Sequence, residues 1–202
     1  MEAYEFLQER LNLRQGLPYT PKWSAGPDFL RIIVDHCLEA KPATILECGS
    51  GMTTLMLARC CQLDARGRVY SLEDGGEYAE RTRGYLDRYG LGEYASVIHA
   101  PLEKMSVGEV EYLWYGMNKI PDWGIEMLVI DGPSGFIQSH SRYPALPLLF
   151  SRLSDRCVVF LDDAARADEK EIVESWKAAY PQIEHDYIET QRGCSVLILD
   201  KG

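Results

Sequence analysis

Apolar and polar residues follow two rhythms along this chain. Short, wholly apolar runs such as "ATILEC", "MLVI" and "CVVFL" have the continuous hydrophobicity of strands covered on both faces. Between them lie segments with helical spacing. "DFLRIIVDHCLEA" places Leu30, Ile33, Val34, Cys37 and Leu38 on one face, and Lys41-Pro42 closes that helix. Residues 2–13 also read as helical, followed by a Pro/Gly-punctuated connector, "RQGLPYTPKWSAGPD".

Strand and helix then alternate. "ATILEC" is followed by a helix from Met52 to Cys61, "RVYSLED" by "EYAERTRGYLDRYG" with Gly90 as C-cap, and "YASVIHA" by a looser segment around "VEYLWYGMNKIPDW". "EMLVIDG" precedes "RYPALPLLFSRL", where Pro144 and Pro147 fit a first helical turn whose amides need no partner. "RCVVFLDD" precedes a helix opened by a D-x-x-E start at Asp168 and Glu171 and carrying Ile172, Val173, Trp176 and Ala179. The closing strands, "IEHDYIET" and "CSVLILD", are separated by so short a turn that they must run antiparallel. Five β-α units ending in a hairpin predict an α/β, doubly wound, mostly parallel sheet with helices on both faces. Residues 1–24 form an N-terminal helix and connector, expected as a cap or lid, and residues 25–202 form the main domain.

Composition narrows the function. The 202 residues are 46% hydrophobic and 26% charged, with a formal net charge of -10. That balance argues against nucleic acid as the main partner, because a phosphate-binding surface needs clustered Lys and Arg. The charged, amphipathic start carries no signal-peptide pattern, and no run is long enough to cross a membrane; a cytoplasmic location is expected. The six cysteines form no C-x-x-C pair, so free thiols in a reducing compartment are expected.

In a doubly wound sheet, ligands bind beyond the carboxyl ends of the strands, where strand order reverses. Four of the five tips here carry carboxylates: Glu47, Glu73-Asp74, Asp131 and Asp162-Asp163. Mutual repulsion opposes that gathering, so packing alone does not account for it. Gly49-Ser50-Gly51 lets backbone approach a ligand, and the following helix presents free amides. Glu73 ends the second strand about 20 residues further on, where a carboxylate accepts hydrogen bonds from ribose hydroxyls. A dinucleotide would press its pyrophosphate against this loop, where Glu47 repels it. Thr54 also stands at the third glycine of that fingerprint. A cationic nucleoside would instead be favoured.

"ILECGSGMTT", "VYSLED", "MLVIDGPSG" and "VVFLDDAAR", in that order, resemble class I S-adenosylmethionine-dependent methyltransferases, closest to small-molecule O-methyltransferase-like members and the bacterial domains related to them. The resemblance spans roughly residues 25–200. It implies a Rossmann-like seven-stranded sheet with an antiparallel last strand. It also implies that Gly49, Ser50 and Gly51, with Thr53, wrap the methionine part of the cofactor, with Glu47 near its amino group. Glu73 would hold the ribose, with Asp74 beside it, and Leu102 would contact the adenine. Here "HAPLEK" replaces the family's frequent Asp-Ala pair.

Metal-dependent members place carboxylates after strands four and five on magnesium. The matching positions are Asp131, Asp162 and Asp163, which would ligate Mg2+ if this chain is metal-dependent; Asp131 also belongs to the cofactor and catalytic sets. The usual Asp-Asn and a lysine near Ser134 are absent. His140, in "GFIQSHSRY", could serve as general base or could be a surface loop histidine. Tyr19, Trp23, Trp114, Tyr115, Trp123 and Tyr143 fall in loops and could line an acceptor pocket. The expected activity is methyl transfer to a small-molecule acceptor at a hydroxyl oxygen, in a chain that a homodimer would also suit. The rivals are a non-catalytic adenosine-cofactor-binding protein and an NAD-dependent oxidoreductase.

Overall fold

In the computed structural model, which describes residues 2–120 and 124–201, a 3-10 turn (Glu2–Tyr4) leads into α1 (Glu5–Arg10). Asn12, with φ +50°, ends the helical path, so the helix expected over residues 2–13 is shorter. α2 (Pro27–Ala40) has proline in its first turn and buries Phe29, Leu30, Ile33, Val34 and Cys37. It stops where Lys41 turns left-handed before Pro42.

The chain continues through β1 (Thr44–Cys48), α3 (Met52–Leu63), β2 (Arg68–Glu73), α4 (Gly76–Arg88) and β3 (Ala95–His99). β4 (Leu102–Val107) and β5 (Val110–Tyr115) follow, then β6 (Ile125–Ile130), α5 (Ala145–Leu149) and β7 (Leu153–Asp162). α6 (Ala167–Ala179), β8 (Glu184–Ile188) and β9 (Cys194–Asp200) complete it. The seven-stranded sheet has the order β3-β2-β1-β6-β7-β9-β8. β9 runs antiparallel to both neighbours, as its short turn demands.

Alternate residues of each strand feed opposite cores. Ile45, Met127 and Val129 join Leu7, Leu11, Phe29, Leu30, Ile33 and Leu55 on the face carrying α1 to α4. Leu46, Leu128 and Ile130 join Leu146, Ile172 and Trp176 on the face carrying α5 and α6. This two-sided burial is why the strands read as unbroken apolar runs. Trp176 is fully buried, and burial of a side chain of that size stabilises the fold by roughly 3 kcal/mol.

Two expectations change. The looser segment after β3 contains an antiparallel hairpin, β4–β5, separate from the main sheet. Gly108, with φ +60°, supplies its turn, and the largely exposed face of β4 hides the strand in the sequence pattern. Residues 1–24 do not stand apart either. Leu7, Leu11, Leu13 and Leu17 enter the same core as α2 and α3, and the Tyr4 hydroxyl donates to Ala25 O at 3.0 Å. The six cysteines are free and buried. Among the described residues no helix is long and apolar enough to cross a membrane. Trp123 lies outside the described residues.

Candidate active site

Strand order reverses between β1 and β6, and the site is built at that junction. Asp131 N donates to Cys48 O at 3.0 Å and Gly49 N to Leu72 O at 2.9 Å, which holds three strand tips together. Gly49 has φ +98°, and a Cβ there would come within 3.3 Å of Gly132 N. Gly51 has φ +149°, and a Cβ there would meet nothing within 4 Å. The first glycine lets two loops touch, while the second faces open space that a ligand can fill.

Glu73 organises this loop. Its Oε2 accepts the Ser50 amide at 2.9 Å and the Ser50 hydroxyl at 2.7 Å, while Oε1 accepts the Gly75 amide at 3.0 Å. Glu47 lies fully buried beneath the loop rather than on the cavity wall. Its Oε2 is 2.5 Å from Thr54 Oγ1, which in turn accepts the Gly51 amide at 3.0 Å. Oε1 has no partner among the described residues. Burial pushes the Glu47 carboxyl up to about 7, against the hydroxyls of Thr53, Thr54 and Ser71. An ionised Glu47 thus sets a negative charge under the glycines.

Across the junction the chemistry turns cationic. Arg142, from the β6–α5 connection, is buried. Its Nη1 donates to Asp162 O at 2.8 Å, and its Nη2 to Asp131 O at 2.6 Å and Asp163 Oδ2 at 2.9 Å. Arg192, from the β8–β9 turn, donates to Asp162 Oδ2 at 2.7 Å and approaches Asp163 Oδ1 at 3.3 Å. Arg166, at the start of α6, pairs with Asp163 Oδ2 at 3.0 Å. Burial, reinforced by the neighbouring Asp162 charge, holds the Asp131 carboxyl well above the usual range, although Arg142 opposes it.

One cavity of about 290 Å³ joins the two halves. Gly49, Ser50, Glu73 and Asp74 line one side, and Asp131 and Asp163 the other. At its rim the rings of Trp23 and Phe136 meet edge-on at 6.5 Å.

Asp131, Asp162 and Asp163 come within 4.8 Å of one another, as magnesium ligands would. The residues nevertheless do not fit that ion. Asp162 Oδ2 and both oxygens of Asp163 face guanidinium groups, and Asp162 Oδ1 accepts the Asp163 amide at 2.8 Å. A dication placed among three arginines would meet repulsion where it needs free ligands. The expected metal set is therefore corrected to an arginine-neutralised cluster.

A methyltransferase domain profile matches residues 46–164, more than half of the chain. The chain belongs to that family. The methyltransferase fold extends beyond the matched segment: an O-methyltransferase from Bacillus cereus solved in complex with SAH is 16% identical, with a TM-score of 0.68 over 99% of this chain and 91% of that one. The Podospora anserina methyltransferase PaMTH1, SAH-bound, is also 16% identical, with a TM-score of 0.68 over 100% and 89%. The O-methyltransferase TomG from Streptomyces achromogenes, in complex with SAM, is 13% identical, with a TM-score of 0.68 over 99% and 90%. No curated protein matches the chain. The class I methyltransferase membership expected from the motifs holds, as does the seven-stranded fold.

Within this methyltransferase domain Gly49, Ser50, Gly51, Thr53, Glu73, Asp74 and Asp131 share the cavity. Leu102 does not: it opens β4 opposite Tyr115, and it is the buried ring of Tyr115 that reaches the cavity wall. His140 is also outside. Its amide donates to Asp168 Oδ2 at 2.8 Å and its Nε2 lies 2.8 Å from Glu171 Oε2. The D-x-x-E pair thus clasps the loop onto α6 instead of capping the helix, whose N-cap, Arg166, makes no side-chain capping hydrogen bond. Of the other aromatics, Trp23 lines the cavity, while Trp114 is buried in the core. The three arginines were absent from the sequence-based set. Of the three, Arg166 alone adjoins an aspartate-bearing tip in the sequence, three residues after Asp163.

Proposed function

We propose that the cavity binds S-adenosylmethionine and that the chain moves its methyl group to a hydroxyl oxygen of a small-molecule acceptor. The observation that carries this is the continuity of one cavity from Glu73 and Asp74, past Gly49–Gly51, to Asp131. The residues fit the cofactor, because Gly51 leaves open space and Glu47, when ionised, sets negative charge beneath a ligand that bears positive charge. The O-methyltransferases from Bacillus cereus and Streptomyces achromogenes, solved with SAH and SAM, support the same reading.

S-adenosylmethionine supplies an electrophilic methyl group on a sulfonium. The protein supplies alignment and proton removal. Glu73 holds the ribose hydroxyls with the lone pairs that Ser50 and Gly75 leave free, and Asp74 stands beside it. Asp131 faces the acceptor half and takes the hydroxyl proton. Its raised pKa makes the ionised carboxylate a stronger base than an ordinary aspartate. Arg142 fixes that carboxylate and its backbone. The connector bearing Trp23 lines the mouth of the cavity.

Thermal unfolding tests the reading. SAH (S-adenosylhomocysteine) at 100 times its Kd stabilises the fold by about 2.7 kcal/mol, and NADH does nothing. A shift with NADH and none with SAH overturns the assignment.

A further inference from the structure

We propose that the methyl acceptor carries an anionic group, a carboxylate or a phosphate, which Arg166 and Arg192 bind at the acceptor half of the cavity. The proposal rests on the cofactor reading above and narrows it to a class of acceptor.

The chain has 31 acidic residues against 21 Lys and Arg, yet cations gather on the wall of the acceptor half of its cavity. Lys22, Arg142, Arg166 and Arg192 line it, and among the described residues the carboxylates that share that wall are Asp131 and Asp163. Asp162 and Glu169 are buried and are not on the wall. Arg142 is buried and spends both Nη groups on the strand tips, but Arg166 and Arg192 are more exposed. Their side chains are 47% and 29% exposed. Each guanidinium has five N–H donors, more than its contacts with Asp162, Asp163 and Glu169 consume. Lys22 lines the same wall and has no ion pair among the described residues.

Neutralising the buried aspartates explains why arginines are present. It does not explain why two of them also line the cavity, or why a lysine joins them. Carboxylates anchored behind Arg166 and Arg192 preset their positions, so a bidentate acceptor anion meets donors already oriented. A magnesium-chelating diol would require the opposite arrangement, with free carboxylates facing the acceptor.

The test measures equilibrium binding, so it does not depend on having the true acceptor. Protein with and without saturating SAH is titrated at fixed ionic strength with inorganic phosphate, with 4-hydroxybenzoate and with the uncharged 4-hydroxybenzamide, reading the thermal midpoint. The expected result is stabilisation by phosphate or by the benzoate, with the benzamide at least tenfold weaker. Arg166→Gln should lose at least tenfold in anion affinity with an unchanged SAH shift, and Arg166→Lys should recover part of it. A response to phosphate alone assigns a phosphorylated acceptor, and one to benzoate alone assigns a carboxylate. Equal binding of benzoate and benzamide, no anion response in protein that binds SAH, or full anion response in Arg166→Gln overturns the proposal. Loss of the SAH shift itself overturns the cofactor reading instead.

Discussion

Ser50 gives both its backbone amide and its hydroxyl to a single oxygen of Glu73, at 2.9 and 2.7 Å. The glycine loop after β1 is therefore tied to the tip of β2 before any ligand arrives. A carboxylate that fixes the loop and also faces the cavity has two tasks, and they can be separated by substitution. Glu73→Ala should weaken SAH binding at least 100-fold, because hydrogen bonds to a charged acceptor are worth about 1.5–3 kcal/mol each. Ser50→Ala loses only the hydroxyl contact and should cost about tenfold or less. Calorimetric titration of both folded variants decides this, and equal affinities would sink the assigned role.

Glu47 links stability to pH. The carboxyl ionises at about 7 in the folded protein against 4.5 for an unperturbed glutamate. A raised folded-state pKa in an acid means that the folded chain binds more protons than the unfolded chain between those values. Stability from this group is therefore lost as pH rises through that window, up to about 3 kcal/mol. Glu47→Gln removes the titration, so its stability relative to the native sequence should increase from pH 5 to pH 8. Urea unfolding at the two pH values reads the difference, and a constant gap would contradict it.

Arg142 sits among Asp131, Asp162 and Asp163 and donates to Asp163 Oδ2 at 2.9 Å. Arg142→Met would leave Asp131, Asp163 and Glu169 without their central cation and should cost about 3–5 kcal/mol. Arg142→Lys should recover only part, since a single ammonium cannot span Asp131 O and Asp162 O as a guanidinium does. Activity of the native protein should survive EDTA, and magnesium should leave the melting midpoint unchanged. A midpoint raised by magnesium and lowered again by EDTA would restore the carboxylates as metal ligands.

Much of the cofactor half was legible beforehand because its parts are local. Gly49-Ser50-Gly51 sits between an apolar run and a helix, and Glu73 directly ends the next strand, so fixing the strands fixed the tips. Leu102 lies off the cavity wall because the segment after β3 folds into its own hairpin, whose partner strand carries Tyr115 there. His140 lies off the cavity wall because Asp168 and Glu171, far along the chain, draw it onto α6. No local pattern around His140 encodes that clasp.

From its own sequence this protein determined a two-sided parallel sheet, the reversal of the last strand and the carboxylates at four strand tips. These follow from hydrophobic periodicity and turn length, which act between near neighbours. Only the tertiary structure decided what those carboxylates do. Arg142, Arg166 and Arg192 reach the cluster from three separate connections, and the charge balance of a site depends on which distant loops converge there. That convergence pairs the expected metal carboxylates with three arginines.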